Sequence, residues 1–505
     1  MLKKQLRHAA RYAVKQTPLA PVLRRHLRKR PLQAALDQGA SDGWDEAATW
    51  LLSERGRSEL SDGAFHHQIR TQINTDMDLE LLLTALRRRL LLSEENIGRN
   101  ASVVETVCSL VQQSLNNEYV WFVSDEEKAA LQSLATPAEG LRDDGAVTWW
   151  TVGVRAMYER PERFLGGSSL SLEDLCGLDG MPSCLEEILR TRLKEVEEER
   201  ALKESIPALG AIRDSTSRVV AETYEQYPYP RWLDWEIPEP GSRRTFLQRF
   251  FRQDELAFLR EPFQVLVPGC GTGSKAIAWA IGYGERAHVT AVDLSRTSLA
   301  YAARMARKYG VSNIDFVQMD LLDLSSLERD FDIVECTGVL HHLKDPVAGG
   351  RELARVLRPG GIAHISLYSE LSRREIARLR ERYQHLIPSA TEDDVRAVRR
   401  ELIDEDPFLV DERLPLRWDF FDLPRCKDLL LHPMEHRFTL PQVGEYLAEL
   451  GLEFRGLERP DLVQGQLWTA FPPERKRGDL AAWDAFERKN PDAFNSLYEI
   501  WALSS

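Results

Sequence analysis

Long apolar runs are absent from this chain. No stretch of its 505 residues approaches the roughly 18 consecutive apolar side chains of a membrane-spanning helix, and no signal-peptide core comes after the basic start. Cysteine is scarce. The six, at 108, 176, 184, 270, 336 and 426, include no pair at Cys-x-x-Cys spacing. That pattern speaks against a zinc site or a disulfide framework and fits a reducing cytoplasm, the expected location. No repeat at a fixed period of 20–50 residues marks a solenoid. Positive charge is also lacking: the formal net charge is −13. Neutralising nucleic-acid phosphates takes clustered Lys and Arg, so nucleic acid is not the expected partner. The exception is local, since the first 30 residues carry ten Lys or Arg and no acid.

Apolar content of 43% and charged content of 29% describe an ordinary globular chain, long enough for two or three domains. Residues 1–31 form a basic arm. It is compatible with contact to acidic lipid or RNA, with a transit peptide, or with a solvated, partly ordered helix. Residues 32–206 read as a helical domain. Leu81, Leu82, Leu83, Leu86, Leu90 and Leu91 recur at helical spacing, interrupted by Arg87 to Arg89, and Val103, Val104, Val107, Leu110 and Val111 form a second stripe. Nothing there carries obvious chemistry. The domain either recognises a partner or caps the C-terminal part of the chain. Beyond it, Tyr224-Glu225-Gln226-Tyr227-Pro228-Tyr229-Pro230-Arg231-Trp232 is held extended by its prolines. Such a segment suits a lid over a ligand or a packed aromatic linker.

Residues 207–368 hold the organising stretch. Val265-Leu266-Val267 fits a strand buried on both faces of a parallel sheet. Gly269, Gly271 and Gly273 come next at alternate positions, and then a helical pattern at 274–280. Strand, glycine turn and helix make up the layout of a nucleotide-type ligand site. A second strand at 287–292 ends in Asp293, a third at 314–319 in Asp320, and a fourth at 331–335 runs into Cys336-Thr337-Gly338-Val339-Leu340-His341-His342-Leu343. A fifth, 362–367, comes after Leu357-Arg358-Pro359-Gly360-Gly361. Successive βα units predict an α/β domain with a doubly wound, mostly parallel, Rossmann-like sheet and one ligand edge, preceded by the all-α domain.

The segments Val-Pro-Gly-Cys-Gly-Thr-Gly, Ala-Val-Asp-Leu-Ser, Gln-Met-Asp-Leu-Leu, Gly-Val-Leu-His-His-Leu and Leu-Arg-Pro-Gly-Gly resemble, in order and spacing, the motifs of class I S-adenosylmethionine-dependent methyltransferases. A dinucleotide dehydrogenase would prefer Gly-x-Gly-x-x-Gly. The resemblance implies that S-adenosylmethionine is the cofactor and that Gly269, Cys270, Gly271, Thr272 and Gly273 pass its methionine part. It further implies that Asp293 with Leu294 holds the ribose, Asp320 with Leu321 the adenine, and Cys336 with Thr337 the floor under the sulfonium. The helical region around 82–89 and 117–121 and the Tyr-Pro-Tyr-Pro-Arg-Trp segment are similar to those of a bacterial group in the family. So is the stretch 418–438 within 369–440, an insertion placed to face the acceptor. On this basis Tyr224, Tyr227, Tyr229, Arg231, Trp232, Arg425 and Asp428 are lid or substrate residues.

Methyl transfer from a sulfonium needs alignment and exclusion of water, and a base only where the acceptor must lose a proton. His341 is the first candidate for such a base, ahead of His432 and His436. Nothing in the sequence near Cys336 marks it as a nucleophilic thiolate. His432 and His436 stand at helical metal-ligand spacing, but Pro433 breaks the helix, so no metal is expected. Residues 441–505 complete the domain, with a helix at 440–450, a sixth strand at 452–457, a seventh strand or a helix at 464–471, and a helical tail at 483–501. The expected activity is methyl transfer to a protein or peptide side chain or a small metabolite. The alternatives are a non-catalytic S-adenosylmethionine-binding interaction or sensor protein and an RNA methyltransferase.

Overall fold

The structure, a computed structural model, describes residues 32–92, 100–134, 148–165, 173, 177–212, 214–226, 228–233, 237–387, 389–405, 417–458, 478–491, 493, 494 and 496–505. The basic arm, the segment 464–471 and Tyr227 lie outside the described residues. The chain divides into two compact units, Met1–Asn116 with Val123–Ile188, and Asn117–Phe122 with Leu189–Ser505.

The first unit is helical. Leu82, Leu83, Leu86, Leu90 and Leu91 of the helix Met77–Leu92 are buried, as are Val103, Val107, Leu110 and Val111 of Ala101–Asn116. Arg87, which looks in sequence like a break in the stripe, is itself core. Its guanidinium lies 4.0 Å from the centroid of Tyr158 and 3.5 Å from Glu127, which in turn accepts a 2.7 Å bond from the Tyr158 hydroxyl. A charge tolerates burial when it is paired in this way. The expectation of no disulfide needs correction, because Cys108 and Cys184 are bonded. Their separation of 76 residues carries no spacing signal; helix packing brings them together.

The second unit is built on a seven-stranded sheet: β1 (Phe263–Pro268), β2 (Ala287–Asp293), β3 (Ile314–Gln318), β4 (Phe331–Cys336), β5 (Leu357–Tyr368), β6 (Leu452–Glu458) and β7 (Leu497–Ser504). Their order is β3-β2-β1-β4-β5-β7-β6, and β1 to β5 pair in parallel. Alternate residues enter different apolar clusters, Leu266 and Val334 one, Val265 and Ile333 the other, as the strand pleat requires. Both faces are covered, which is why these strands read as continuous apolar runs. The reversal of strand order between β1 and β4 opens a crevice at the carboxyl ends, where α/β sheets bind ligands.

The tail departs from the expected helix. A helix, Leu480–Lys489, is succeeded by β7, which runs antiparallel between β5 and β6. Tyr498, Ile500 and Ala502 enter one cluster and Trp501 the other. With apolar residues on both faces, no alternation betrays the strand. Among the described residues no helix is long and apolar enough to cross a membrane.

A charged knot is buried against the inner strands β4, β5 and β7 of the sheet. Glu335 of β4 is fully buried and meets Arg243 at 2.9 Å, His364 of β5 at 2.9 Å and the Tyr283 hydroxyl. His364 stacks on Trp501 of β7 at 4.2 Å and lies 3.2 Å from Glu499. Burial alone would raise the Glu335 pKa, but Arg243 and His364 hold it down to about 2. Burial opposes charging of His364 too, and the two glutamates outweigh it, so its pKa is raised.

Candidate active site

A cavity of about 480 Å³ lies at the carboxyl ends of the parallel strands, lined wholly by residues of the second unit. Val267 and Pro268 of β1 lead into Gly269, Cys270 and Gly271. Asp293 and Leu294 close β2, Met319, Asp320 and Leu321 come after β3, and Thr337 and Gly338 after β4. The convergence arises from parallel pairing. The register sets Pro268 beside Val292 and Asp293 beside Gln318, so their carboxyl ends share one rim.

Asp293 is tied to the glycine turn. One carboxylate oxygen accepts from Gly271 N–H at 2.8 Å, the other from Ser295 N–H at 2.9 Å. Burial pushes its pKa up to about 6, against these two N–H donors. Asp320 accepts from Leu322 N–H at 3.0 Å and faces the cavity. A carboxylate at the end of β2, a second after β3 and apolar walls from Leu294, Leu321 and Met319 are the donor set that an adenosyl group needs: acceptors for hydroxyls and amine, and flat apolar surface between. The residues present fit S-adenosylmethionine.

The glycines are small for a reason the sequence does not reveal. A Cβ on Gly271 (φ +53°) would lie 2.4 Å from the Tyr229 carbonyl oxygen, one on Gly269 (φ +66°) 2.3 Å from Val339, and one on Gly273 (φ +80°) 2.6 Å from Ala302. Protein atoms fill the space. At Gly271 the neighbour is the Tyr-Pro-Tyr-Pro strap itself, whose Tyr229–Pro230 bond is cis. Tyr229 O accepts from Thr272 N–H at 3.2 Å, Thr272 Oγ1 donates to Pro230 O, and Trp232 Nε1 donates to Thr272 O at 3.0 Å. In Gly271→Ala the Cβ forces the strap away and carries a left-handed penalty of about 1–2 kcal/mol. The expected outcome is a loss of S-adenosylhomocysteine affinity of about tenfold or more, measured by calorimetry, with faster proteolysis at the strap.

The expected residues divide clearly. Gly269, Cys270, Gly271, Asp293, Leu294, Asp320, Leu321 and Thr337 line the cavity, as do Tyr224, Tyr229, Arg425, Asp428 and His432. Thr272, Gly273 and Cys336 do not: Thr272 faces the strap, Gly273 packs on Ala302, and Cys336 sits in the apolar core, where burial drives its thiol pKa up. Trp232 stacks on Tyr309 at 5.7 Å, and Arg231 pairs with Glu118 at 3.1 Å over the Tyr301 ring. His341, the first choice for a base, lies behind the wall, stacked on Tyr368 at 3.6 Å. Its neighbour His342 lines the cavity instead. The short 3₁₀ turn Leu340–His342 decides which of the two faces inward, and adjacent residues in sequence cannot be told apart on that point. His436 is off the cavity and donates its backbone N–H to His341 O at 2.8 Å.

Tyr368, Arg373, Asp419 and Glu499 also line the cavity, and sequence does not single them out. Asp419 lies inside the stretch 418–438 that sequence marks; the other three carry no local signal. Tyr368, Arg373 and Asp419, with Tyr224, Tyr229, Arg425, Asp428, His342 and His432, make a connected and largely buried polar part of the lining. Tyr224 donates to Asp428 at 2.8 Å and stacks on Tyr229 at 6.0 Å. Burial, and behind it Asp428, outweighs Arg425 and pushes the Asp419 pKa up to about 8. Burial pulls His432 and His342 down to about 3, so both imidazoles are neutral.

Residues 265–361 match the family model described as a methyltransferase domain. An uncharacterized protein of Synechococcus sp. is 32% identical over 50% of this chain and 63% of its own length. A ubiquinone/menaquinone biosynthesis C-methyltransferase of Rhizobium meliloti is 31% identical over 22% of this chain and 44% of its own. Among solved structures, PKMT2 of Rickettsia typhi in complex with AdoHcy is similar at 18% identity over 55% of each chain, with a TM-score of 0.40. The chain thus spans less than two thirds of the length of these curated relatives. Residues 265–361, set in this sheet, thus form a methyltransferase domain of the class I S-adenosylmethionine-dependent type.

Proposed function

We propose that this chain transfers the methyl group of S-adenosylmethionine to a small polar molecule bound at the buried polar part of the cavity. The observation that carries the reading is the composition of that part: Tyr224, Tyr229, Tyr368, Arg373, Asp419 and Asp428 converge on one space, five of them from outside the βα core. Buried side chains from the strap and from 419–432 on one side of the cavity suit a molecule that enters whole better than a polypeptide. The quinone-biosynthesis name of the Rhizobium relative is consistent with a non-polymeric acceptor, though not with a polar one.

The cofactor would supply a methyl already activated on a sulfonium; the rest falls to the protein. Asp293 would accept from the ribose hydroxyls and, through Gly271 N–H, holds the glycine turn that would face the methionine part. Asp320 and the Leu321 wall would place the adenine. The strap excludes water and brings Tyr229 against the turn. At neutral pH Asp419, with a pKa near 8, keeps its proton and is a hydrogen-bond donor to an acceptor oxygen, whereas Arg373 and Arg425 offer charge to an anionic one. Neutral His342 and His432 are weak bases, so the acceptor either arrives as a ready nucleophile or is activated otherwise.

The test is transfer of radiolabelled methyl into cell extract, separated afterwards into small molecules, protein and RNA. Label in the small-molecule fraction is expected. Label in protein or RNA overturns the acceptor class. Tight binding of S-adenosylhomocysteine with no label anywhere favours the sensor reading.

A further inference from the structure

His342, Asp428 and His432 come from two elements: the turn after β4 supplies His342, and the helix Leu423–Leu431 supplies Asp428 and, at its C-cap, His432. All three are buried, and one potential ligand atom from each lies within 4.8 Å of the others. Both imidazoles are oriented by a single acceptor. His342 Nδ1 and His432 Nδ1 each lie 2.7 Å from the Met434 carbonyl oxygen. A carbonyl has two lone pairs and can take both N–H groups, which keeps both Nε2 atoms as lone-pair donors; Met434 N–H also lies 3.1 Å from His432 Nδ1, and the Tyr368 hydroxyl lies 3.5 Å from His342 Nε2, a contact that a metal would displace. Asp428 is oriented in turn by the Tyr224 hydroxyl at 2.8 Å on one oxygen, leaving the other. First ligands held by hydrogen bonds on the far side are the arrangement of a metal centre. The nearby guanidiniums of Arg373 and Arg380 are engaged by Glu435, at 2.7 and 3.3 Å, which tempers their repulsion of a cation.

We propose that these three residues bind one divalent metal ion of the zinc class, with its remaining coordination position turned into the cavity. Two imidazoles and one carboxylate with an open position match catalytic zinc sites and the facial triads of iron(II). Ligand bonds of about 2.0 Å require ligand atoms about 3.3 Å apart in a tetrahedron, so the three close in by a modest side-chain shift. Magnesium, which favours oxygen ligands, is not expected to bind. Sequence pairs His432 with His436 at helical spacing. The structure replaces that partner with His342, 90 positions away, and adds Asp428.

The test uses the full chain after chelator treatment, titrated with cobalt(II) and zinc(II). One cobalt per chain with a visible ligand-field absorption band, displaced by zinc, is the expected result. His432→Gln should weaken zinc binding by more than the roughly 10–100-fold that loss of an outer partner costs, and Tyr224→Phe, which removes such an outer partner, by that 10–100-fold. No cobalt band in the wild type, or zinc affinity unchanged in both His432→Gln and Asp428→Asn, overturns the site. Binding of S-adenosylhomocysteine is measured on the same samples. Wild-type protein that binds it but takes up no cobalt sinks the metal site and leaves the methyltransferase reading standing; the reverse result does the opposite.

Discussion

Asp293→Ala is expected to lower affinity for S-adenosylhomocysteine about 100-fold or more in isothermal titration calorimetry, with little change in the unfolding midpoint. Two ribose hydroxyls donating to a buried carboxylate contribute about 1.5–3 kcal/mol each, which covers that loss. The fold survives because two terms oppose. Removing the carboxylate leaves Gly271 N–H and Ser295 N–H without their acceptor, a cost of about 1–3 kcal/mol each. It also removes an acid whose pKa burial has raised from 3.8 to about 6. Such an acid binds its proton more tightly in the native state. Its contribution to stability is present below about pH 4 and lost as pH rises through 6, leaving a penalty of about 3 kcal/mol at pH 7. Cofactor binding has the opposite sign, since the hydroxyls need the ionised form. Wild-type affinity therefore rises between pH 5 and 7, by up to about tenfold per unit below the pKa, and levels off above. Unchanged affinity in the variant removes the ribose role from Asp293.

Glu335→Gln is expected to be the most destabilising single polar change in the second unit, by about 3–5 kcal/mol in urea denaturation at pH 7. Breaking a buried pair strands the other charge, here Arg243, and removes one of the two glutamates that raise the pKa of His364. The pKa of Glu335, down from 4.5 to about 2, gives an independent figure of about 3 kcal/mol. The depressed acid sets the sign: this stability is present above about pH 4.5 and lost as pH falls toward 2. His364 adds a second slope. Its raised pKa means stability present below 6.5 and lost as pH climbs through the raised value. The gap between wild type and variant should therefore narrow at both ends of the pH range. Arg243→Met combined with Glu335→Leu should cost less than the two single changes together, because neither charge is then left alone. A Glu335→Gln protein as stable as wild type shows that the knot holds nothing together.

These two residues also mark what could be read from the chain directly. Asp293 was legible because a βα unit is local: strand, turn and helix come one after another, so the acid that ends β2 announces its place on the rim. The same holds for Gly269, Gly271, Asp320 and Thr337. Glu335 was read only as the end of a strand, because Arg243, His364 and Tyr283 reach it from 92, 29 and 52 positions away. Non-local pairing also hid Cys108 with Cys184, and His342 with Asp428 and His432. That His342 and not His341 lines the cavity was hidden for a different reason: direction in a short turn depends on backbone angles that composition does not encode. The missed strand β7 is a third kind of case, in which burial on both faces erased the period-two pattern.

The place of β7 has a consequence for how the protein is made. β6 pairs with β7, and β7 with β5; β5 and β6 are not paired with each other. While the ribosome is still emitting residues before 497, β6 has no ladder to join and the edge of β5 stands open. Leu497 and Glu499 also belong to the cavity wall. Nascent chain that stops short of them lacks one side of the binding chamber, so capture of the cofactor reports that synthesis has passed this strand.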